Sequence, residues 1–153
     1  MINDLQQQAL LDAFEGAREA GHIWPAFAAC EAMEESAWGT TKLFQQANNV
    51  FGEKQKTPPV TYSTILLPTW EVIRGERRDI VAAFVQYPSL TVCFEDRMAT
   101  LRRLAATFPH YAAALAATTG EEYVEQVSAS WSTDPQRAAN VLEIYRAHGA
   151  MLV

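Results

Sequence analysis

The stretch that decides the fold covers residues 30–52 and reads CEAMEESAWGTTKLFQQANNVFG. It begins with three glutamates on an apolar helical segment, and a Ser-Ala-Trp-Gly step at 36–39 ends that segment. A short amphipathic segment follows, and then an Asn-Asn-Val-Phe-Gly break at 48–52. A carboxylate at the end of an apolar helix, beside an aromatic side chain and a turn glycine, suits a general acid at the edge of a cleft.

Composition limits what the chain can be. The 153 residues are 49% hydrophobic and 20% charged, which predicts one globular domain over residues 1–153 that folds without a metal or a disulfide. The net charge of −6 disfavours nucleic acid, which binds basic surfaces. No apolar run reaches the ~18 residues of a membrane span, and residues 1–14 lack the basic start and apolar core of a signal peptide. We therefore expect a monomer that binds no nucleic acid and inserts into no membrane, with an export route that the sequence does not reveal.

Helical periodicity covers both ends of the chain and fades between them. Apolar residues at three-and-four spacing predict helices over 3–20, 25–37, 40–47, 90–107, 109–117, 120–129 and 135–148. In the middle, Pro58 and Pro59 exclude a helix, and β-favouring residues cluster on both sides of a turn at 74–77, from Val60 and Thr61 onward. The sequence predicts a mostly helical α+β fold in which a small β-hairpin lobe forms one wall of a cleft.

Glu35 is the candidate general acid among the three glutamates. It lies in the last helical turn, where the negative end of the helix dipole favours the protonated form that an acid needs. Glu31 shares its face four residues earlier, and Glu34 is rotated by about 100°. These two either tune Glu35 or face solvent.

Glycoside hydrolysis is one reaction that uses such a general acid. It also needs a second group that activates water or stabilises an oxocarbenium-like transition state. Glu71, within the hairpin at 68–72, is the best candidate, although an exposed strand glutamate would have the same sequence context. Glu53 and Glu76 have weaker cases. Aromatic residues are plentiful, and most should be core while one or two offer faces to a sugar: Trp38, Phe44, Phe51, Tyr62, Trp70 and Trp131.

Other chemistries lack their residues. The three histidines show no zinc-ligand spacing, and the chain has no nucleophile elbow or phosphate-binding glycine loop. We predict no metal and no cofactor. Cys30 and Cys93 are interpreted as buried thiols, with a disulfide between them as an open alternative.

The opening stretch resembles the signature of glycoside hydrolase family 73, the bacterial β-N-acetylglucosaminidases that include the flagellar rod-cap hydrolase, autolysins and phage lysins. That signature is Glu-Ser-x-Trp-Gly, a short helix, and Asn-Asn-hydrophobic-Phe-Gly. The matching positions are Glu35, Ser36, Trp38, Gly39, Asn48, Asn49, Phe51 and Gly52. Further blocks follow in order: a Thr-x-Glu hairpin at 69–75, FVQYPS at 84–89, an acidic pair at 95–96 and SWSTDP at 130–135.

This resemblance implies a lysozyme-like fold and a peptidoglycan hydrolase that cuts the β-1,4 bond between N-acetylglucosamine and N-acetylmuramic acid. Glu35 would be the general acid, and Glu71 the base or a stabiliser of the transition state. The residues expected at the substrate are Trp38, Asn49, Phe51, Trp70 and Trp131. The chain departs from the family pattern at Trp131, where a tyrosine is usual, and at Val85, which replaces an arginine.

The sequence leaves several alternatives open. A muramidase or lytic transglycosylase would use the same acid and cut after N-acetylmuramic acid, and a non-catalytic wall-binding module would keep the cleft without turnover. Within a hydrolase, either Glu71 activates a water or the 2-acetamido group of the substrate attacks the anomeric carbon. With no visible leader, we expect an endolysin or an injected effector that degrades the bacterial cell wall from the periplasm or from outside the cell.

Overall fold

The structure is a computed structural model that describes residues 1–55 and 62–153. Its helices are α1 (Asp4–Glu19), α2 (Pro25–Glu35), α3 (Lys42–Ala47), α4 (Leu90–Leu104), α5 (Pro109–Leu115), α6 (Gly120–Trp131) and α7 (Arg137–His148), followed by a 3₁₀ turn (Gly149–Met151). Strands β1 (Ser63–Ile73) and β2 (Glu76–Gln86) form one antiparallel hairpin. The predicted α+β architecture is confirmed, while Pro58, Pro59, Val60 and Thr61 lie outside the described residues.

The predicted helix boundaries differ from the observed ones where a local turn takes over. Helix α7 begins at Arg137 and not at 135, because side chains before it cap a separate turn. In that turn Ser132 Oγ accepts from the Asp134 N–H (3.0 Å), and Asp134 Oδ1 accepts from the Gln136 N–H (2.9 Å). Short polar side chains favour such turns over helix because they bond the nearby backbone.

Helix α2 is the centre of the core. Seven successive residues, from Phe27 to Met33, are buried, so this helix is covered on all sides, and it packs against α1, α6 and α7. The first residue of α6, Gly120, lies directly against the Phe27 ring of α2. A Cβ at this position would fall 2.0 Å from that ring, so the contact requires glycine. None of the described helices is long and apolar enough to cross a membrane.

The two cysteines are buried and free, which confirms the interpretation as thiols. Burial raises the pKa of both Cys30 and Cys93 to about 12. The thiolate is the reactive form of cysteine, and thiols with so high a pKa stay protonated. Both side chains therefore pack as small apolar groups.

The hairpin is attached to the helical body at its base. Asn49 Nδ2 donates to the carbonyls of Val85 and Glu53 (both 2.9 Å), and the Tyr87 N–H donates to Ala47 O (2.8 Å). On the distal half, all residues from Trp70 to Asp79 are exposed. The lobe therefore has a fixed base and a solvated tip.

Candidate active site

The backbone turns left-handed at Ala37, two residues after Glu35. Ala37, Trp38 and Gly39 have φ values of 48°, 60° and 77°, a conformation that costs residues with a side chain of order 1 kcal/mol or more. The turn places the Trp38 ring edge-on against His148, with 5.4 Å between the ring centroids. This change of handedness ends α2 at Glu35 and not at the predicted residue 37.

Ser36 holds this turn together. Its Oγ donates to Ala32 O (2.6 Å) and accepts from the Gly39 N–H (2.9 Å). At Gly39, a Cβ would lie 2.8 Å from Ala9 Cβ, so both space and conformation require glycine. The Ser-x-Trp-Gly pattern thus has a physical reason: it builds the turn that presents Glu35 at the helix end.

Glu35 is half-buried and paired with an arginine from the far end of the chain. Its side chain is 24% exposed, and its Oε1 accepts from Arg137 Nε at 2.9 Å. Among the described residues, its Oε2 has no hydrogen-bond partner. The carboxylate is therefore anchored through one oxygen, and the other is available.

Glu31 is fully buried, which excludes the alternative that it faces solvent. It accepts hydrogen bonds from Arg137 Nη2 (2.7 Å), Arg97 Nη2 (3.2 Å) and the Tyr123 hydroxyl (2.7 Å). Burial alone would raise the pKa of Glu31, but the two guanidiniums and the hydroxyl outweigh burial and lower it to about 2. Glu34, in contrast, lies at the edge of the body and accepts from Asn140 Nδ2 (3.0 Å).

A buried histidine extends this network. His22 Nδ1 accepts from the Trp24 N–H (2.9 Å), and Nε2 lies 3.2 Å from the Tyr123 hydroxyl. Because Nδ1 is an acceptor, the proton of the neutral ring is on Nε2, which donates to Tyr123, and Tyr123 in turn donates to Glu31. Burial is the main cause that lowers the pKa of His22 to about 4.

Two of the predicted substrate aromatics meet this network through Arg97. Its guanidinium carbon lies 4.0 Å from the ring centroids of both Phe51 and Trp131, and the two rings contact each other edge to face at 5.7 Å. Phe51 is buried and Trp131 is half-buried. Arg97 thereby links these rings to Glu31, with its charge stabilised by both the carboxylate and the aromatic faces.

Asn49 is placed as a supporting residue. It is 1% exposed, and within the described part of the chain its amide bonds backbone groups alone, including the Glu53 N–H, from which Oδ1 accepts (3.0 Å). This geometry favours fixing the loop and β2 over direct contact with a ligand. Val85, which replaces an arginine of the family pattern, is also buried. The guanidinium groups that contact Glu31 and Glu35 come from Arg97 and Arg137.

The structure does not bring Glu71 to the acid cluster. Glu71 faces Arg78 across the exposed part of the hairpin, and it forms no hydrogen bond or ion pair with other described residues. The neighbouring Trp70 is 55% exposed, and the Arg77 guanidinium lies 5.0 Å from its ring centroid. Glu71 shares its strand face with Leu67 and Thr69, which with α3 line a groove at the hairpin base.

Arg97 and Arg137 were not among the site residues predicted from the sequence. A usable signal was present in Glu31 and Glu35, since two glutamates on one face of a buried helix need cationic partners. Sequence spacing gives no hint of which arginines these are. Within residues 1–55 and 62–153, no group of three or more His, Cys, Asp or Glu side chains is arranged to hold a metal ion.

Comparisons with known proteins identify the family of the chain. The glucosaminidase family, described as mannosyl-glycoprotein endo-β-N-acetylglucosaminidase, matches residues 11–150. The exo-glucosaminidase LytG of Bacillus subtilis is 33% identical over 97 residues, which are 60% of this chain and 33% of that protein. The chain therefore matches about a third of the length of that relative.

Solved structures show the same fold. A glycoside hydrolase domain of FlgJ from Salmonella typhimurium is 27% identical, with a TM-score of 0.73 over 95% of this chain and 99% of that one. The catalytic domain of the autolysin Auto from Listeria monocytogenes has a TM-score of 0.82 at 21% identity, over 97% of this chain and 87% of that one. The lysozyme-like fold expected from the sequence is confirmed.

Proposed function

Because the chain belongs to the glucosaminidase family, we propose that it hydrolyses peptidoglycan at the β-1,4 bond between N-acetylglucosamine and N-acetylmuramic acid. Its family and fold are those of a glycoside hydrolase. On this proposal residues 1–153 act as one catalytic domain and as a monomer, on the bacterial wall in the periplasm or outside the cell. The substrate is a glycan strand, and no cofactor takes part.

The observation that carries the proposal is the state of Glu35. Its carboxylate is the half-exposed member of a cluster whose other members, Glu31, Arg97 and Arg137, are buried. It is the last residue of α2, directly before the motif turn, and its Oε1 is held by Arg137. A carboxyl group that is fixed in place and still reachable is what proton transfer to a bound substrate requires.

The proposed reaction begins at Glu35. Protonated on Oε2, it gives its proton to the glycosidic oxygen as the bond from that oxygen to the anomeric carbon breaks. A water then adds to the anomeric carbon and loses a proton, so the products are two glycan ends. Oε1 keeps its hydrogen bond to Arg137 throughout, which leaves the donor oxygen oriented.

Glu71 is the proposed second group, as the base for that water or as a stabiliser of the positive charge at the anomeric carbon. Its exposed place on the hairpin means that the lobe must approach the body when substrate binds. If the 2-acetamido group of the substrate attacks instead, Glu71 stabilises charge only. Trp70 and Trp131 have exposed ring surface for sugar contacts, whereas Asn49 and Phe51 support the site from within.

Analysis of the reducing ends tests this proposal. Purified sacculi are digested with the protein, the products are reduced with borohydride, and the fragments are identified by mass spectrometry. We expect fragments that end in reduced N-acetylglucosamine. Fragments that end in reduced N-acetylmuramic acid would indicate a muramidase, and 1,6-anhydro ends a lytic transglycosylase. Binding to sacculi without any released fragment would indicate a wall-binding module.

A further inference from the structure

We propose that Arg137 is a positioning residue for Glu35. Arg137 bonds both the candidate acid and the buried Glu31, and it thereby fixes the direction of the free carboxylate oxygen of Glu35. This inference rests on the proposed function, because it assigns a role in the same reaction. Arg137 lies in the first turn of α7 and is 2% exposed.

The guanidinium of Arg137 uses each of its three nitrogens on a different partner. Nε donates to Glu35 Oε1 (2.9 Å), Nη2 to Glu31 Oε2 (2.7 Å) and Nη1 to Ser128 Oγ (2.7 Å). Because the guanidinium is planar and rigid, fixing two of these nitrogens also fixes the third. The position of Glu35 Oε1 is therefore set by contacts to α2 and α6.

Glu31 is a firm anchor because two further helices hold it. Arg97 from α4 and Tyr123 from α6 both donate to its carboxylate. When Glu35 is ionised, the cluster also contains two carboxylates and two guanidiniums, so the buried charges of Arg97 and Arg137 are compensated. Although burial opposes its charge, Glu31 and Glu35 raise the pKa of Arg137, which keeps the guanidinium cationic at any working pH.

A lysine at this position could not do the same. Its ammonium is one point charge on a flexible stem, so it can bond one carboxylate well but lacks the fixed fork that spans Glu31, Glu35 and Ser128. Reaction rates are sensitive to such placement, since a displacement of about 1 Å can cost ~100-fold. Loss of Arg137 should therefore act on the chemical step, and Arg97 still compensates the charge of Glu31.

The experiment measures kcat and KM on a soluble peptidoglycan fragment for the wild type, Arg137→Gln and Arg137→Lys, with each kcat corrected for the folded fraction from circular dichroism. Arg146→Gln is the matched control, because Arg146 also lies on α7 but is exposed and pairs with the similarly exposed Glu143. We expect kcat to fall ~10- to 100-fold in both Arg137 variants, with KM changed by less than about threefold and Arg146→Gln unchanged.

A second measurement separates positioning from a general structural role. In a Glu35→Gln background the same Arg137 substitutions should reduce the residual activity no further, because the group that Arg137 positions is gone. An equal loss in both backgrounds would overturn the inference, and so would a folded Arg137→Lys variant with wild-type kcat. If the wild type itself releases no fragments, the proposed function fails and this inference with it; if only the Arg137 result fails, the proposed function stands.

Discussion

In the helical body, Glu31 and Glu35 share the buried guanidinium of Arg137, whereas on the β-hairpin Glu71 is exposed to solvent opposite Arg78. The first pair of acids is held by rigid helices and strong charge-assisted hydrogen bonds. The third acid lies on a two-stranded ribbon whose distal half is exposed to solvent. Because water screens charges on this exposed half, an ion pair formed there contributes little to the free energy of unfolding.

This difference indicates how the work of the site is divided. The helical body forms its half of the site, with Glu35 in place, when the protein folds. The entropy cost of ordering the Glu35 side chain is therefore met before substrate binds. On the proposed mechanism, the hairpin half is completed only when a glycan strand lies between the body and the hairpin. Substitutions in the body should therefore change stability and rate together, and those on the hairpin tip should change rate alone.

Removal of the buried anchor should have the largest effect on stability. Glu31→Ala leaves Arg97 and Arg137 buried without their shared carboxylate, and we expect a loss of about 3–5 kcal/mol in the free energy of unfolding. Urea denaturation followed by circular dichroism measures this loss. The matched change on the hairpin, Glu71→Ala, should stay within about 0.5 kcal/mol, and equal losses in the two variants would remove the contrast between the regions.

Acid should weaken the body next. The pKa of His22 is about 4 in the folded protein against 6.5 for the free side chain, so the unfolded chain binds more protons between these values. Stability is then fully present above pH 6.5 and falls by about 3 kcal/mol as the pH drops through 4. The pKa of Glu31, lowered from 4.5 to about 2, adds a further loss of the same sign between those values.

Denaturation curves at several pH values between 7 and 4 check this dependence. A His22→Gln variant is the control, because it removes the titrating ring, and its stability should be nearly flat between pH 6.5 and 5. A wild type whose stability is unchanged across that interval would show that His22 is not held neutral.

Replacement of the hairpin acid should lower the rate without lowering stability. For Glu71→Gln we expect a ~100-fold fall in kcat, the lower end of the range for acid–base groups, and a melting temperature equal to that of the wild type. Assays on purified sacculi measure the rate. A fall of less than about threefold would favour attack by the acetamido group of the substrate over a base at Glu71.

Much of the fold could be predicted because its signals are local. Apolar spacing located the helices, and prolines and β-branched residues located the hairpin. The position of Glu35 followed from the turn residues beside it. The charge cluster could not be predicted in this way, because Arg97 and Arg137 lie 66 and 106 residues from Glu31 in sequence.

The same limit explains the residues whose placement differs from expectation. Asn49 matches a motif, but the sequence does not show that its side-chain amide donates both hydrogen bonds to backbone carbonyls. Glu31 has the sequence context of a surface glutamate, yet three helices close over it. Long-range contacts decide both cases, and periodicity carries no information on them.

The most direct test compares Glu35→Gln with Glu34→Gln. Both changes remove one carboxylate from the same helical turn, but Glu34 accepts its hydrogen bond from Asn140 at the edge of the body, away from the buried arginines. The rate of lysis of purified sacculi should fall by roughly 10³-fold for Glu35→Gln and stay near the wild-type value for Glu34→Gln, with both variants folded. Lysis by folded Glu35→Gln at the wild-type rate would contradict the assignment of Glu35 as the acid.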